Sequence, residues 1–156
     1  MLKSVMRQST LVFLIKDNQI LLAMKKRGFG VGKWNGVGGK PDGNEKIEIT
    51  AIRETQEEIE VIPQNITQAA TLDFFFQDNP DWDQQVLVYL AKEWAGTPTE
   101  TEEMNPQWFD IDKLPFEDMW PDDKFWLPKV LSGKNIVAKF IFNNQNQIVD
   151  QSVNEI

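Results

Sequence analysis

The chain reads as an α/β protein, with a mixed β-sheet packed between helices, and three features point that way. Short β-rich runs recur from Ser9 to Val153, and only two stretches carry a helical pattern. Seven of the nine glycines crowd between Lys25 and Gly43, which predicts an irregular loop where the first hairpin meets the first helix. With 156 residues and no repeat, low-complexity tract or linker-like shift, the whole of 1–156 is taken as a single domain.

Taken in order, Ser9 to Ile15 predicts a strand, Lys16-Asp17-Asn18 a turn, and Gln19 to Met24 the returning strand. Glu45 to Ile59 contains neither Gly nor Pro and predicts a helix, stopped by Pro63. Ala69 to Phe76 and Gln84 to Lys92 predict two strands, joined by the turn-rich Gln77-Asp78-Asn79-Pro80-Asp81. Gln107 to Asp110 predicts a short strand. Pro121 followed by Asp122 and Asp123 suits a helix start, because acids there face the positive end of the helix dipole. That helix runs to about Leu131, and Asn135 to Phe142 and Gln147 to Val153 form a terminal hairpin around Asn143-Asn144.

Composition narrows the chemistry. Cysteine is absent, which removes disulfides, thiolate nucleophiles and Cys-type zinc sites; histidine is absent too, which removes Ser-His-Asp catalysis and histidine metal ligands. Any catalysis falls to carboxylates. A formal charge of −8 argues against binding nucleic acid by neutralising its phosphates. A small polyanionic substrate would need a local countercharge, most simply a divalent cation. No run approaches the ~18–20 apolar residues that cross a bilayer. The segment Met1-Leu2-Lys3-Ser4-Val5-Met6-Arg7 has no signal-peptide pattern, so no membrane association and a cytoplasmic location are expected.

The segment Ile52-Arg53-Glu54-Thr55-Gln56-Glu57-Glu58 carries the strongest chemical signal. Residues three and four apart share a helix face, so Glu54, Glu57 and Glu58 converge there. Carboxylates that close raise one another's pKa unless a cation sits among them, and hard ions such as Mg²⁺ prefer oxygen ligands. Taken alone, the same run also reads as a solvated acidic face.

The flanking residues add a spacing. From Gly39 there are five residues to Glu45, then seven more before Arg53-Glu54-Thr55-Gln56-Glu57-Glu58. This resembles the Nudix box at six charged or glycine positions. Two positions depart from it: Thr55 replaces an aliphatic on the stripe Ile47, Ala51, Thr55, Ile59, and Glu60 replaces the helix-ending glycine. A glycine there adopts φ > 0, a conformation that costs Glu roughly 1 kcal/mol, so a less stable or differently shaped helix end is expected. The resemblance implies a loop–helix–loop on an α/β/α sandwich. It further implies that Glu54, Glu57 and Glu58 bind the metal with the Gly38 carbonyl, that Arg53 orients the glutamates, and that Glu45 braces the loop. The cofactor would be Mg²⁺, with Mn²⁺ a possible substitute. Glu58 is the first choice of general base.

The loop Lys25 to Lys40 combines glycines with five basic residues, a composition that can bring backbone N–H groups and charge to phosphates. It matches neither the Walker P-loop nor the Rossmann fingerprint. Phe29 and Trp34 speak against a bare linker. Met24 to Gly39, Gly96-Thr97-Pro98, Glu103-Met104, Trp108-Phe109, Leu114-Pro115-Phe116 and Asp118-Met119-Trp120-Pro121-Asp122-Asp123 are similar to one Nudix subgroup. That subgroup is the oxidised purine nucleoside triphosphate hydrolases of the animal type, and the likeness runs from about Ser9 to the C-terminus.

The residues support a purine pocket on physical grounds as well. Two adjacent carboxylates beside an apolar pocket cannot both ionise cheaply, so Asp122 and Asp123 could together accept from and donate to a purine edge. Asn35 offers an amide suited to a base, and Trp120, Phe29 and Phe74 could stack on the ring. The resemblance adds Thr10 and Lys25 to the nucleotide site and Glu103 as a further metal-site glutamate. The alternative for Glu103 is an acidic patch with Glu100 and Glu102. Trp82, Trp94, Trp108 and Trp126 are expected to be core or rim packing, and Ile49 and Ile52 sit where polar residues would be expected. The loop Gln77 to Gln85 departs from the subgroup pattern and is one residue longer, which leaves the preferred purine open.

The expected activity is thus metal-assisted hydrolysis of modified purine nucleoside triphosphates to monophosphate and pyrophosphate, with attack at the β-phosphorus, by a monomer. Two alternatives stand beside it: a Nudix hydrolase of another diphosphate such as ADP-ribose, and a non-catalytic nucleotide-binding sensor.

Overall fold

A computed structural model describes residues 6–156, so most of the N-terminal segment read above lies outside the described residues. The elements in chain order are β1 (Arg7–Lys16), β2 (Gln19–Lys25), β3 (Trp34–Asn35), α1 (Ile47–Ile59), β4 (Ile62–Gln64), β5 (Thr67–Phe76), β6 (Gln84–Ala91), β7 (Glu93–Ala95), β8 (Met104–Asp110), α2 (Asp123–Leu131), β9 (Ile136–Phe142) and β10 (Ile148–Glu155). Single 3₁₀ turns occupy Pro80–Trp82 and Phe116–Asp118.

The strands form a mixed sheet in the order β10-β9-β5-β6-β1-β2-β3, with β8 paired to β2. β1 runs parallel to β6 and β5 parallel to β9, whereas β1–β2, β5–β6 and β9–β10 are antiparallel. Because successive strand residues point to opposite faces, a central strand covered on both sides must be apolar without interruption. β1 shows this: Val12, Phe13 and Leu14 are all buried. Phe13 joins Leu72, Trp126, Leu127 and Phe140 beneath α2. Val12 and Leu14 join Ala51, Ile59, Val61 and Tyr89 beneath α1. One helix therefore lies on each face of the sheet, which is the α/β/α arrangement expected from the sequence.

α1 begins two residues later than expected and ends at Ile59 as expected, with Glu60 as its C-cap, and Pro63 lies beyond it in β4. Thr55 is fully buried on the inner stripe and donates its hydroxyl hydrogen bond to the Ala51 carbonyl at 2.7 Å, which satisfies the polar group inside the core. Glu60 takes the left-handed conformation itself, at φ 61° and ψ 34°, and its N–H donates to the Gln56 carbonyl. The helix end thus keeps the shape a glycine would give it. The expected change of shape does not occur.

β4 and β7 form a separate two-stranded ribbon, and β8 starts at Met104, three residues earlier than expected. Among the described residues no helix is long and apolar enough to cross a membrane.

Candidate active site

β1 and the loop after β3 meet at Thr10. Its N–H donates to the Gly39 carbonyl at 2.9 Å, and the Gly39 N–H donates back to the Thr10 hydroxyl at 3.2 Å. The approach is close enough to exclude side chains from the loop. A Cβ on Gly38 would lie 1.8 Å from the Thr10 carbonyl oxygen, and one on Gly39 would lie 2.4 Å from the Glu54 carboxyl carbon. With no Cβ in the way, the Gly38 N–H reaches Glu58 and donates to its carboxylate at 2.8 Å.

Glu58 is buried at 3 % exposure, and burial pushes its carboxyl up to about 8. The charges of Glu54 and Glu103 push the same way, against the Gly38 N–H and Lys25. Burial also raises Glu54, opposed by Arg53. Arg53 is the hub of the helix face. It binds both oxygens of Glu45 at 2.8 and 2.9 Å, Glu54 at 2.8 Å, Glu57 at 3.2 Å and the Lys40 carbonyl at 3.0 Å. The guanidinium hydrogen bonds, then the Thr50 hydroxyl, hold Glu45 down at about 2, and the hydrogen bonds to Glu45, then Glu54, raise Arg53 further.

These are hard oxygen donors around a buried carboxylate with too little positive charge, a combination that suits a divalent cation. Glu54 and Glu58, with Glu103 facing both, could hold one. Among the described residues no three acidic side chains are gathered tightly enough to enclose an ion, because Arg53 draws Glu54 and Glu57 to itself.

A cavity of about 510 Å³ opens beside Glu58 and runs to the start of α2. Thr10, Lys25, Gly38 and Glu58 gather at one part of it, Phe29, Trp120, Asp122 and Asp123 at the start of α2, and Asn35 and Phe74 also belong to the lining. The Asn35 carbonyl oxygen accepts from the Gly36 N–H at 2.8 Å, so its amide N–H₂ stays free of partners among the described residues. Phe29 lies over Trp120 with ring centroids 5.1 Å apart, and the Lys33 ammonium stands 5.4 Å from the Trp120 ring.

Asp122 and Asp123 are both buried. α2 starts at Asp123 with Asp122 just before it, the helix start expected from the sequence, and Asp122 makes no capping hydrogen bond with its side chain. Asp122 accepts from the Trp126 indole N–H at 2.8 Å, while one Asp123 oxygen has no partner among the described residues. Burial raises Asp122 to about 6; burial, then the charge of Asp122, raises Asp123 well above the carboxylate range. Two adjacent buried carboxyls resist ionising together, and a proton kept between them would let one donate where its neighbour accepts.

Every residue expected at the nucleotide site from the sequence therefore lines one cavity, whereas Arg53, Glu54, Glu57 and Glu103 stand outside its lining. The lining also includes Ser9, Phe76, Trp82, Gln84 and Phe142, which were not expected. Phe76 and Phe142 end neighbouring parallel strands, and their inward phase was the available signal. Trp126 is fully buried core, and Trp94 packs with Trp108, as expected.

Residues 5–130 match the NUDIX domain. The chain is 42% identical over 153 residues to the oxidized purine nucleoside triphosphate hydrolase of Mus musculus, covering 98% of this chain and 97% of that protein. It is 41% identical to the protein of the same name from Danio rerio, covering 94% of each. The mMutator MutT protein from Bacillus halodurans shares the fold, with a TM-score of 0.82 over 95% of this chain and 97% of that one, at 21% identity.

Proposed function

We propose, from the premise that this chain belongs to the Nudix family, that it hydrolyses oxidised or otherwise modified purine nucleoside triphosphates to the monophosphate and pyrophosphate. One observation carries the reading: a single cavity joins the buried Asp122–Asp123 pair to the buried Glu58. A purine held at the first end directs its phosphates toward the second. The names of the mouse and zebrafish relatives support the same substrate class.

In this reading the purine edge meets the proton-sharing Asp122 and Asp123 and the free amide of Asn35, and its face meets Phe29 and Trp120. Lys25 and Thr10 steer the triphosphate. Glu54, Glu57 and Glu58, with Gly38 and Glu103, would hold Mg²⁺, for which Mn²⁺ could substitute. The ion would neutralise phosphate charge and lower the pKa of the carboxylates around it. Glu58 then takes the proton of the attacking water as its oxygen bonds to the β-phosphorus. The bond from that phosphorus to the α–β bridging oxygen breaks, and that oxygen leaves with the monophosphate. Arg53 and Glu45 keep the glutamates in position. We take the enzyme to act as a cytoplasmic monomer.

The test is product release with Mg²⁺ across dGTP, 8-oxo-dGTP, 2-hydroxy-dATP, O6-methyl-dGTP and ADP-ribose. The expected result is a preference for modified purines that Asp122→Asn erases, and a Glu58→Gln variant that folds but loses roughly 10²–10⁴ in turnover. Preferred turnover of ADP-ribose would keep the chemistry and reject the purine pocket. Full activity in Glu58→Gln would reject the base.

A further inference from the structure

Trp82 sits at the mouth of the cavity, in the one loop that departs from the resemblance. Its side chain lines the cavity wall yet remains 44 % exposed, a large apolar surface that the fold does not bury. The loop presents it rigidly. The Asp83 carboxylate accepts from the Phe76 N–H at 2.8 Å, the Asn79 N–H donates to the Phe76 carbonyl, and the Trp82 N–H donates to the Asn79 carbonyl. Arg7 reaches across to the Asp81 carbonyl, and Pro80 opens the 3₁₀ turn with its φ already set. Two ring neighbours hold the indole at angles, Phe29 at 5.2 Å and 60° and Phe76 at 5.8 Å and 83°. Neither stacks flat on it, and the exposed part of the residue opens at the cavity mouth.

We propose that Trp82 is a substrate-contacting residue, which packs against the purine and closes the outer side of its pocket together with Phe29. This rests on the purine triphosphate reading above. The indole supplies a wall to the base end alone, because Lys25 and Glu58 mark the opposite end of the cavity. It therefore contributes to binding without touching the reacting phosphate, so its loss weakens substrate and transition state alike.

Steady-state hydrolysis of 8-oxo-dGTP and dGTP by the full chain, by Trp82→Ala and by Trp82→Phe tests this, with melting temperatures measured alongside. Trp82→Ala should raise KM by roughly tenfold, the scale of one lost aromatic–base stack, and leave kcat within about twofold. Trp82→Phe should recover most of the loss, and neither variant should change the melting temperature by more than a degree or so. An unchanged KM in Trp82→Ala overturns the proposal. So does a drop in kcat and melting temperature that Trp82→Phe does not rescue, which would make Trp82 a support for the loop. A wild-type chain that turns over no purine triphosphate overturns the functional reading and this inference with it. A wild-type chain that does, beside an indifferent Trp82→Ala, removes this inference alone.

Discussion

Replacing Glu60 with glycine should stabilise the protein. Glu60 holds φ 61° and ψ 34°, where a Cβ crowds the following carbonyl at a cost of about 1–2 kcal/mol. Its exposed side chain makes no ion pair or hydrogen bond among the described residues, so no contact is lost on removing it. Glycine relieves the crowding but adds freedom to the unfolded chain, worth about 0.4–1 kcal/mol in the opposite direction. The net gain is about 0.5–1 kcal/mol, and for a chain of this length that raises Tm by roughly 1–4 °C. Scanning calorimetry and urea unfolding of the wild type, Glu60→Gly and Glu60→Ala would measure it. Alanine retains the Cβ and is the control for loss of the side chain. The reasoning fails if glycine gives no more stability than alanine.

Gly38 and Gly39 should fail differently when changed to alanine. The Gly38 Cβ would strike the Thr10 backbone, so Gly38→Ala should cut soluble yield or Tm sharply; the Gly39 Cβ would meet the end of the movable Glu54 side chain. Gly39→Ala should therefore fold with a near-normal Tm and lose about 100-fold in kcat by displacing Glu54, and a normal kcat would count against Glu54 as a working residue. The buried acids should also shape stability against pH. Asp122 has its pKa raised to about 6 from an unfolded value of about 3.9, so its contribution is complete below about pH 4 and is lost as pH rises through 6. Asp122→Asn should flatten the decline in denaturation free energy between pH 4 and 6, by an amount on the order of a few kcal/mol. A parallel decline in the variant would refute the assignment.

The parts of the fold legible in the sequence were those with a strong local period. The β-rich run Ser9 to Ile15 announced a strand, and the Glu54–Glu58 spacing placed the acids on a helix; both exist as read. β4 and β7 were not legible, because three residues carry no period and the two pair only with each other across a long gap. Pro106 hid the first half of β8, although an edge position tolerates its missing N–H. The helix start at Asp122 and Asp123 was legible, but the Trp126 indole bonded to Asp122 was not, since that contact is set by the packing of α2 rather than by local rules. Trp82 was read as packing because the sequence alone says nothing about the direction of its loop.

The pairing of β1 with β6 has a consequence for how the molecule comes into being. Thr10 lies on a strand whose parallel partner occupies residues 84–91, and the far end of its cavity is lined by Trp120, Asp122 and Asp123. Such distant mating is slow to find, since a long stretch of chain must be brought into a loop before any strand contact rewards it. During synthesis the glycine loop and the acid helix emerge well before the strand and the aspartates that complete the pocket. The candidate site is thus among the last things this chain acquires, and it arrives only with the finished sheet.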